Sequence, residues 1–284
     1  MPGLRLIASP LTALLVVLPA SLAGADVVQP LFLYTFDEAD GPAVHEHHGG
    51  PTGWLVGADH ARTDGAFGYA GDRSLHLNPD GRGRSYVEID GLAGALNGWS
   101  ALTVSAWVKS DVTSADRAFF GGDVADGCDR FGARYDQAGW KSPGTEAIKL
   151  ALNIDGRQYQ YESASGYQTA EWQHVLFTWA SGEGIKLYVD GQLDPALYTD
   201  PGLDTATGSI TNQTRFALGN GAKDVWAGAL DDVAVWDVAL SADAVAALAG
   251  GRATGTGAAS TVPEPATLAI LLPAAALLRR RRRI

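Results

Sequence analysis

Cysteine is all but missing: Cys128 is the single thiol in 284 residues. That excludes a disulfide framework and any cysteine-built zinc module. Its neighbours Asp126 and Asp129 raise a thiol's pKa, so Cys128 reads as inert. Basic residues are scarce too. Arg5 is the lone cation of the first 25 residues, and Arg279 to Arg283 crowd the last six. Between those ends, fifteen basic residues face 32 acidic ones. Such a body repels nucleic acid and anionic lipid within a Debye length of about 8–10 Å, so no nucleic-acid partner is expected. No apolar run reaches the roughly 20 residues that a spanning helix wants. What remains is rich in turns and rings. With 35 Gly, 13 Pro, 8 Trp, 9 Tyr and 8 Phe, and 46% hydrophobic residues, the chain holds enough apolar mass for a core, which excludes global disorder.

Both ends read as addresses. Arg5, the apolar run Leu11 to Leu18 and the small-residue site Ala23-Gly24-Ala25 form a secretory signal pattern. Signal peptidase would cut after Ala25, giving a leader over 1–25. Pro10 and Pro19 bracket the run, which argues against an ordinary buried helix. At the other end, residues 250–261 are a Gly/Thr/Ala/Ser linker. The segment 262–284 then runs through Val262-Pro263-Glu264-Pro265, the apolar stretch Ala266 to Leu278 and the arginine block. Arginines at its end snorkel toward the headgroups and shorten the span required, so a short transmembrane helix is expected there. They also hold the tail on the cytoplasmic side. This order of Pro-Glu-Pro, apolar helix and Arg279, Arg280, Arg281 and onward resembles the PEP-CTERM sorting signal of Gram-negative bacteria. The resemblance implies an exosortase partner, cleavage near Pro263, Glu264 and Pro265, and transient anchoring in the inner membrane before display at the cell surface or release. A plain C-terminal anchor is the alternative.

Between the ends the patterns are those of strands. Leu31 to Asp37, Ser74 to Asn78, Ser85 to Asp90, Leu102 to Ser110 and Ala147 to Ile154 are short runs rich in β-branched or aromatic residues. So are Tyr159 to Ala164, Trp172 to Ala180, Ile185 to Val189, Arg215 to Asn220 and Ala229 to Asp237. Leu102, Val104, Ala106 and Val108 alternate with Thr103, Ser105, Trp107 and Lys109. Val175, Phe177 and Trp179 oppose His174, Leu176 and Thr178, which predicts one buried and one wet face. Asp190-Gly191 predicts a tight hairpin. One helix stands out, Ser241 to Leu248: Ser241 caps it, Asp243 suits its positive end, and Gly250-Gly251 stops it. It is too short to stand alone and is expected to dock on a sheet edge. The fold class is therefore all-β: a two-sheet antiparallel β-sandwich over residues 30–249 with one short C-terminal helix.

Four fragments in order resemble the laminin-G-like, concanavalin A-like lectin/glucanase superfamily. Leu33-Tyr34-Thr35-Phe36-Asp37-Glu38 is similar to its opening strand, and Leu102 to Lys109 to its central strand. Trp172-Gln173-His174-Val175 with Lys186-Leu187-Tyr188-Val189-Asp190-Gly191 is similar to its hairpin. Gly228 to Val233 with Leu240 to Asp243 is similar to its closing strand and helix. The resemblance implies a jelly-roll sandwich and leaves the ligand open, because one fold hosts many functions.

Each candidate site has a competing reading. Glycosidases of this fold carry an E-x-D-x-x-E strand that sets two carboxylates across the scissile bond. Glu88-Ile89-Asp90 begins that way, but Gly91-Leu92-Ala93 follows, so both acids read as the wet face of a strand. The family resemblance also implies calcium near the junction of first and last strands, with Asp37 and Asp231 as preferred ligands; of two adjacent acids in a strand, one would be merely solvated. His45-Glu46-His47-His48 has the density of a zinc or copper site, yet no helix to converge it, and reads as a solvated loop. Rings stack on sugar faces, which singles out Trp140 in its Pro/Gly-rich loop, then Trp54, then Tyr167. Packing is the alternative for each. Trp107, Trp172, Trp179 and Trp236 lie in strand runs and belong to the core or its edge; Trp226 fits either role. The expectation is an exported, non-catalytic module that binds carbohydrate or extracellular polysaccharide, with calcium as a possible cofactor. A glycoside hydrolase and a purely structural surface protein are the alternatives.

Overall fold

The computed structural model describes residues 28–122, 131–138, 141–219 and 224–251. In chain order its first strands are β1 Phe32–Tyr34, β2 Ala43–Val44, β3 Gly53–Val56, β4 His60–Asp64, β5 Arg73–Leu77 and β6 Tyr86–Ile89. After the short helix α1, Leu92–Leu96, come β7 Ala101–Ser110, β8 Arg117–Gly122, β9 Phe131–Asp136, β10 Ala147–Ile154 and β11 Arg157–Glu162. The series ends with β12 Gln173–Ala180, β13 Gly184–Val189, β14 Gln192–Leu193, β15 Tyr198–Thr199, β16 Ala217–Leu218, β17 Gly228–Trp236 and the helix α2, Ala242–Ala249.

These strands make two antiparallel sheets stacked as a sandwich. The eight-stranded sheet runs β14-β13-β12-β7-β17-β5-β4, with β1 also on β17. The nine-stranded sheet runs β15-β11-β10-β9-β8-β16-β6-β3-β2. The core lies between them, where inward side chains of both sheets meet. Phe120 of one sheet stacks on Phe177 of the other with centroids 5.8 Å apart, and Phe131 and Phe216 extend the group. Burial of each such ring stabilises the fold by about 1.5–3 kcal/mol. Trp179 and Trp236, on strands, are also buried, as packing predicts, and so is Trp226 in the segment before β17.

The Asp190-Gly191 hairpin forms as expected. Val189 pairs with Gln192 across a two-residue turn, and Asp190 and Gly191 sit at φ 49° and 75°. Both signs are positive, which is what a turn matching the strand twist requires. The Asp190 carboxylate accepts the His174 amide at 2.8 Å, tying the turn to β12.

The late helix also forms, with the Ser241 hydroxyl accepting the Ala244 amide at 3.3 Å. Its docking differs from the expectation. Ala244, Val245 and Leu248 pack on Leu33, Leu176, Tyr188, Ala234 and Trp236, across the outer face of the eight-stranded sheet and not on its edge. Each of these three helix residues lies one turn or less from the next, so one small stripe is buried. This docking corrects a second expectation. His174, Leu176 and Thr178 are as buried as their neighbours on β12. The helix covers Leu176, and Trp107 lies 5.2 Å from the His174 ring. The wet face predicted for β12 is dry, Leu176 lying under the helix and His174 against the ring of Trp107 on the adjacent strand. Helix α1 went unpredicted; Leu92, Ala93 and Leu96 bury its inner side.

Candidate functional site

The outer face of the nine-stranded sheet has a different chemistry from the core. Inward positions on β6 are Val87 and Ile89, so Tyr86 and Glu88 point outward. Register sets Trp54 opposite Glu88, and Val56 opposite Tyr86. Trp54 and Tyr86 are therefore diagonal neighbours on adjacent strands, within reach of each other's rings. Trp54 is 51% exposed and Val56 39%. Arg215 arrives from the loop before β16. Its Nε donates to both Glu88 oxygens at 2.8 and 2.7 Å, its Nη2 also bonds Glu88, and its guanidinium lies 4.9 Å from the Tyr86 centroid. The result is an open end with an exposed indole, a phenol and a fixed donor–acceptor pair.

The middle of the face is closed and charged. Asp136, Lys149 and Glu162 are all nearly inaccessible, at 6%, 4% and 1%. Lys149 bonds Asp136 and lies 3.6 Å from Glu162. Arg134 reaches Asp224 at 2.8 Å and Asp136 at 3.6 Å. The Glu162 carboxylate accepts the amides of Lys141 and Ser142 at 3.1 and 2.9 Å, drawing that segment across the sheet. Each buried acid thus meets a cation or amides, as low dielectric demands.

The far end is open again. Tyr198 pairs with Glu162 in register. Its hydroxyl and the Lys141 ammonium both donate to Asp200 Oδ1 at 2.7 Å. Burial works against the charge on Asp200, but the bonds from Lys141, Tyr198 and the Gln160 amide outweigh it and hold its carboxyl below the usual range. Tyr167 lies behind this end, half-buried, with its hydroxyl donating to Asp194 at 2.9 Å. Burial, with the Asp194 bond, pushes that phenol up to about 12.

A second acidic site lies where β17 changes partner. β5 pairs with Gly228–Leu230 and β1 with Val233–Val235, with a bulge between Asp231 and Ala234. Asp232 adopts φ 41° there. Asp231 and Asp232 are both buried, not one solvated as the alternation implied. Asp231 accepts the Ala66 amide at 2.9 Å and the Asp232 amide at 2.8 Å. Burial pushes its carboxyl up to about 8, with Asp72 and Asp37 adding repulsion. Asp37 accepts the Arg73 amide at 3.0 Å. Asp72 takes the Phe67 and Gly68 amides with one oxygen, while its other oxygen is buried without a hydrogen-bond partner. Among the described residues no three acidic or imidazole groups converge by themselves on one metal position. An oxygen-seeking ion fits this chemistry if backbone carbonyls complete its shell.

Several expected site residues fall elsewhere. Trp140 and Cys128 lie outside the described residues, as do Ala25 and the tail with Pro263, Glu264, Pro265, Arg279, Arg280 and Arg281. Among the described residues no helix is long and apolar enough to cross a membrane. The histidine cluster is a loop: His45, His47 and His48 are exposed, while Glu46 is buried and accepts the Leu33, His48 and Gly50 amides. Sequence reasoning missed Tyr86, Arg215 and the Lys141–Asp200–Tyr198 group. The Tyr86–Glu88 alternation was a usable signal; Arg215, 127 positions from its partner Glu88, had none.

A family model described as "Concanavalin A-like lectin/glucanases superfamily", of laminin-G type, matches residues 80–246. Over 83 residues the chain is 37% identical to the human adhesion G-protein coupled receptor D1, which is 26% of this chain and 9% of that receptor. The chain thus spans less than a tenth of that receptor's length. Domain 4 of an extracellular arabinanase from Geobacillus stearothermophilus, solved with arabinotriose, aligns at TM-score 0.52 and 21% identity over 78% of this chain and 98% of that one. The binding domain of Paraclostridial Mosquitocidal Protein 1 aligns at TM-score 0.55 and 13% identity over 78% of this chain and 52% of that one. At these identities the structural likenesses bear on the fold.

Proposed function

The chain belongs to the concanavalin A-like lectin/glucanases superfamily, and from that premise we propose that it is an exported, non-catalytic module that binds a carbohydrate or extracellular polysaccharide. The observation that carries this reading is the open end of the nine-stranded face. Trp54 stands exposed beside Tyr86, next to the Glu88–Arg215 pair. A ring face takes the apolar side of a sugar, and a fixed charged pair takes its hydroxyls. A solved relative in fold holds arabinotriose, which favours a saccharide over other ligands. The non-catalytic reading is supported by the acids of that face. Glu88 is gripped at both oxygens by Arg215, and Asp136 and Glu162 are sealed against Lys149. A glycosidase instead needs two carboxyls open to the scissile bond.

Calcium is proposed at the bulge, held by Asp37 and Asp231, with the unpartnered Asp72 oxygen beside them. There it would neutralise three crowded acids and lock β17 to β1 and β5. Export rests on the leader pattern ending at Ala25. Sorting rests on Pro263-Glu264-Pro265 with its arginine block, read by an exosortase-type enzyme at the inner membrane.

Titration calorimetry of the protein against soluble polysaccharides, with and without calcium, tests the binding role. Saturable binding that falls at least tenfold in Trp54→Ala is expected. Absence of binding to every glycan tried, including the host's own exopolysaccharide, would count against it. Replacing Pro263, Glu264 and Pro265 with alanine should leave the tail uncut; an unchanged mature mass would remove the sorting reading.

A further inference from the structure

Lys149 is the only buried lysine among the described residues. Its neighbours in β10, Ile148 and Leu150, face the core, so Lys149 points to the outer face of the nine-stranded sheet. Register sets it opposite Glu162 of β11. On its other side Ala147 lies opposite Asp136 of β9, which makes Asp136 a diagonal neighbour within reach of a long side chain. The ammonium therefore stands between two carboxyl groups. It bonds Asp136 Oδ2, and Glu162 Oε1 lies 3.6 Å away.

Both acids are held in place. Glu162 Oε1 accepts the Lys141 amide at 3.1 Å and Oε2 the Ser142 amide at 2.9 Å. Asp136 Oδ1 accepts the Ala138 amide at 3.3 Å, which turns Oδ2 toward Lys149. Arg134, the other cation beside Asp136, is nearer to Asp224, at 2.8 Å against 3.6 Å. An amine and a carboxyl group fixed in contact react at a very high effective concentration. Burial supplies the direction. A buried ion pair has lost its hydration and gains little net stability in return, whereas an amide in its place carries no charge. With all three side chains shut off from solvent, the water released finds no easy way back to the bond.

We propose that Lys149 and Asp136 condense into an intramolecular isopeptide bond, with Glu162 as the proton carrier. The Lys149 ammonium first passes a proton to Asp136, leaving an amine and a carboxylic acid. Nζ then attacks Cγ of Asp136, and the C–N bond forms. Glu162 takes a proton from Nζ and delivers it to the departing hydroxyl; the C–O bond breaks and one water leaves. Glu162 ends as the carboxylate it began as, and no oxidant, reductant or cofactor takes part. The product is a covalent clip between β9 and β10, closing the 13 positions that separate the two residues. It does not depend on the carbohydrate reading.

Mass spectrometry of the full chain, purified and denatured, tests the bond. Between its mapped ends the protein should weigh one water less than its sequence. Fragmentation should show Lys149 carrying the peptide that holds Asp136, and Lys149 should resist acylation while Lys109, Lys141 and Lys186 accept it. Lys149→Arg should restore the full mass, which separates this amide from water lost by a cyclised aspartate elsewhere. Glu162→Gln should slow bond formation by at least about tenfold after synthesis. Should that variant fail to fold, the mass of the unaltered chain still decides. A full sequence mass together with an acylated Lys149 makes the cluster an ordinary ion pair and overturns the proposal. Undiminished cross-linking in a folded Glu162→Gln overturns the part given to Glu162. A cross-linked chain that binds no glycan leaves the bond standing and removes only the carbohydrate reading.

Discussion

The two outer faces of the sandwich were built from similar strands and treated in opposite ways. The face of the eight-stranded sheet is covered by α2, whose Val245 and Leu248 meet Leu33, Leu176 and Trp236 in a small second core. The face of the nine-stranded sheet carries ion pairs in its middle and rings at its ends. Apolar cover adds stability and closes a surface to ligands. Paired charges and exposed rings add little stability and keep a surface able to exchange water for hydroxyl groups. The two faces therefore divide the work of folding and of contact.

The sharpest test of that division is Trp236→Ala. Trp236 is buried, packs in the second core and donates its indole N–H to the Val28 carbonyl at 2.7 Å. Its loss should cost about 3–5 kcal/mol, read by chemical denaturation.

Next in size is an acid effect on the covered face. Burial lowers His174 to about 4, while its Nε2 meets the Ser105 hydroxyl at 2.7 Å and its Nδ1 has no partner. The folded chain thus refuses a proton that the unfolded chain accepts below about 6.5. Stability should be full above that pH and fall by on the order of 3 kcal/mol as the pH drops toward 4. The charged neighbour across the hairpin, Asp190, bonds the His174 amide and does not reach the ring nitrogen. Denaturation midpoints at pH 7 and pH 4.5, compared with His174→Gln, isolate this slope; an equal slope in the variant would refute it.

Glu88→Gln should cost less, about 1–2 kcal/mol, because the pair it breaks with Arg215 is only half-buried. Its effect on glycan affinity should exceed its effect on stability. Trp54→Ala completes the contrast. Being half-exposed, it should move stability by less than about 0.5 kcal/mol while removing most of the binding. A large loss of stability there would make the indole a packing group and erase the difference between the faces.

The fold was legible from period-two runs, turn pairs and one capped helix. Leu102 to Ser110 reads as a strand in isolation because alternation is a local property, and the structure places β7 at Ala101–Ser110. β2, β3, β4, β8 and β9 escaped notice because they lack a clean run of β-branched or aromatic residues; their strand character comes from the partners they pair with. The dryness of His174 and Leu176 could not be read from β12 either, since it depends on Trp107 and α2 from distant parts of the chain. Trp54 was visible as a ring beside Gly53. Its setting beside Tyr86 and Arg215 follows only from the register of β3 on β6 and from a contact over 127 positions.

One placement carries a mechanical corollary. Strand β1 and helix α2 both sit at the back of the sandwich, where Leu33 touches the helix stripe, and the described chain leaves at Gly251 on that side. Anything tethered through the residues beyond would pull from behind. The domain would then hang like a shield from its strap, its indole end facing the surroundings and its helix facing whatever holds it.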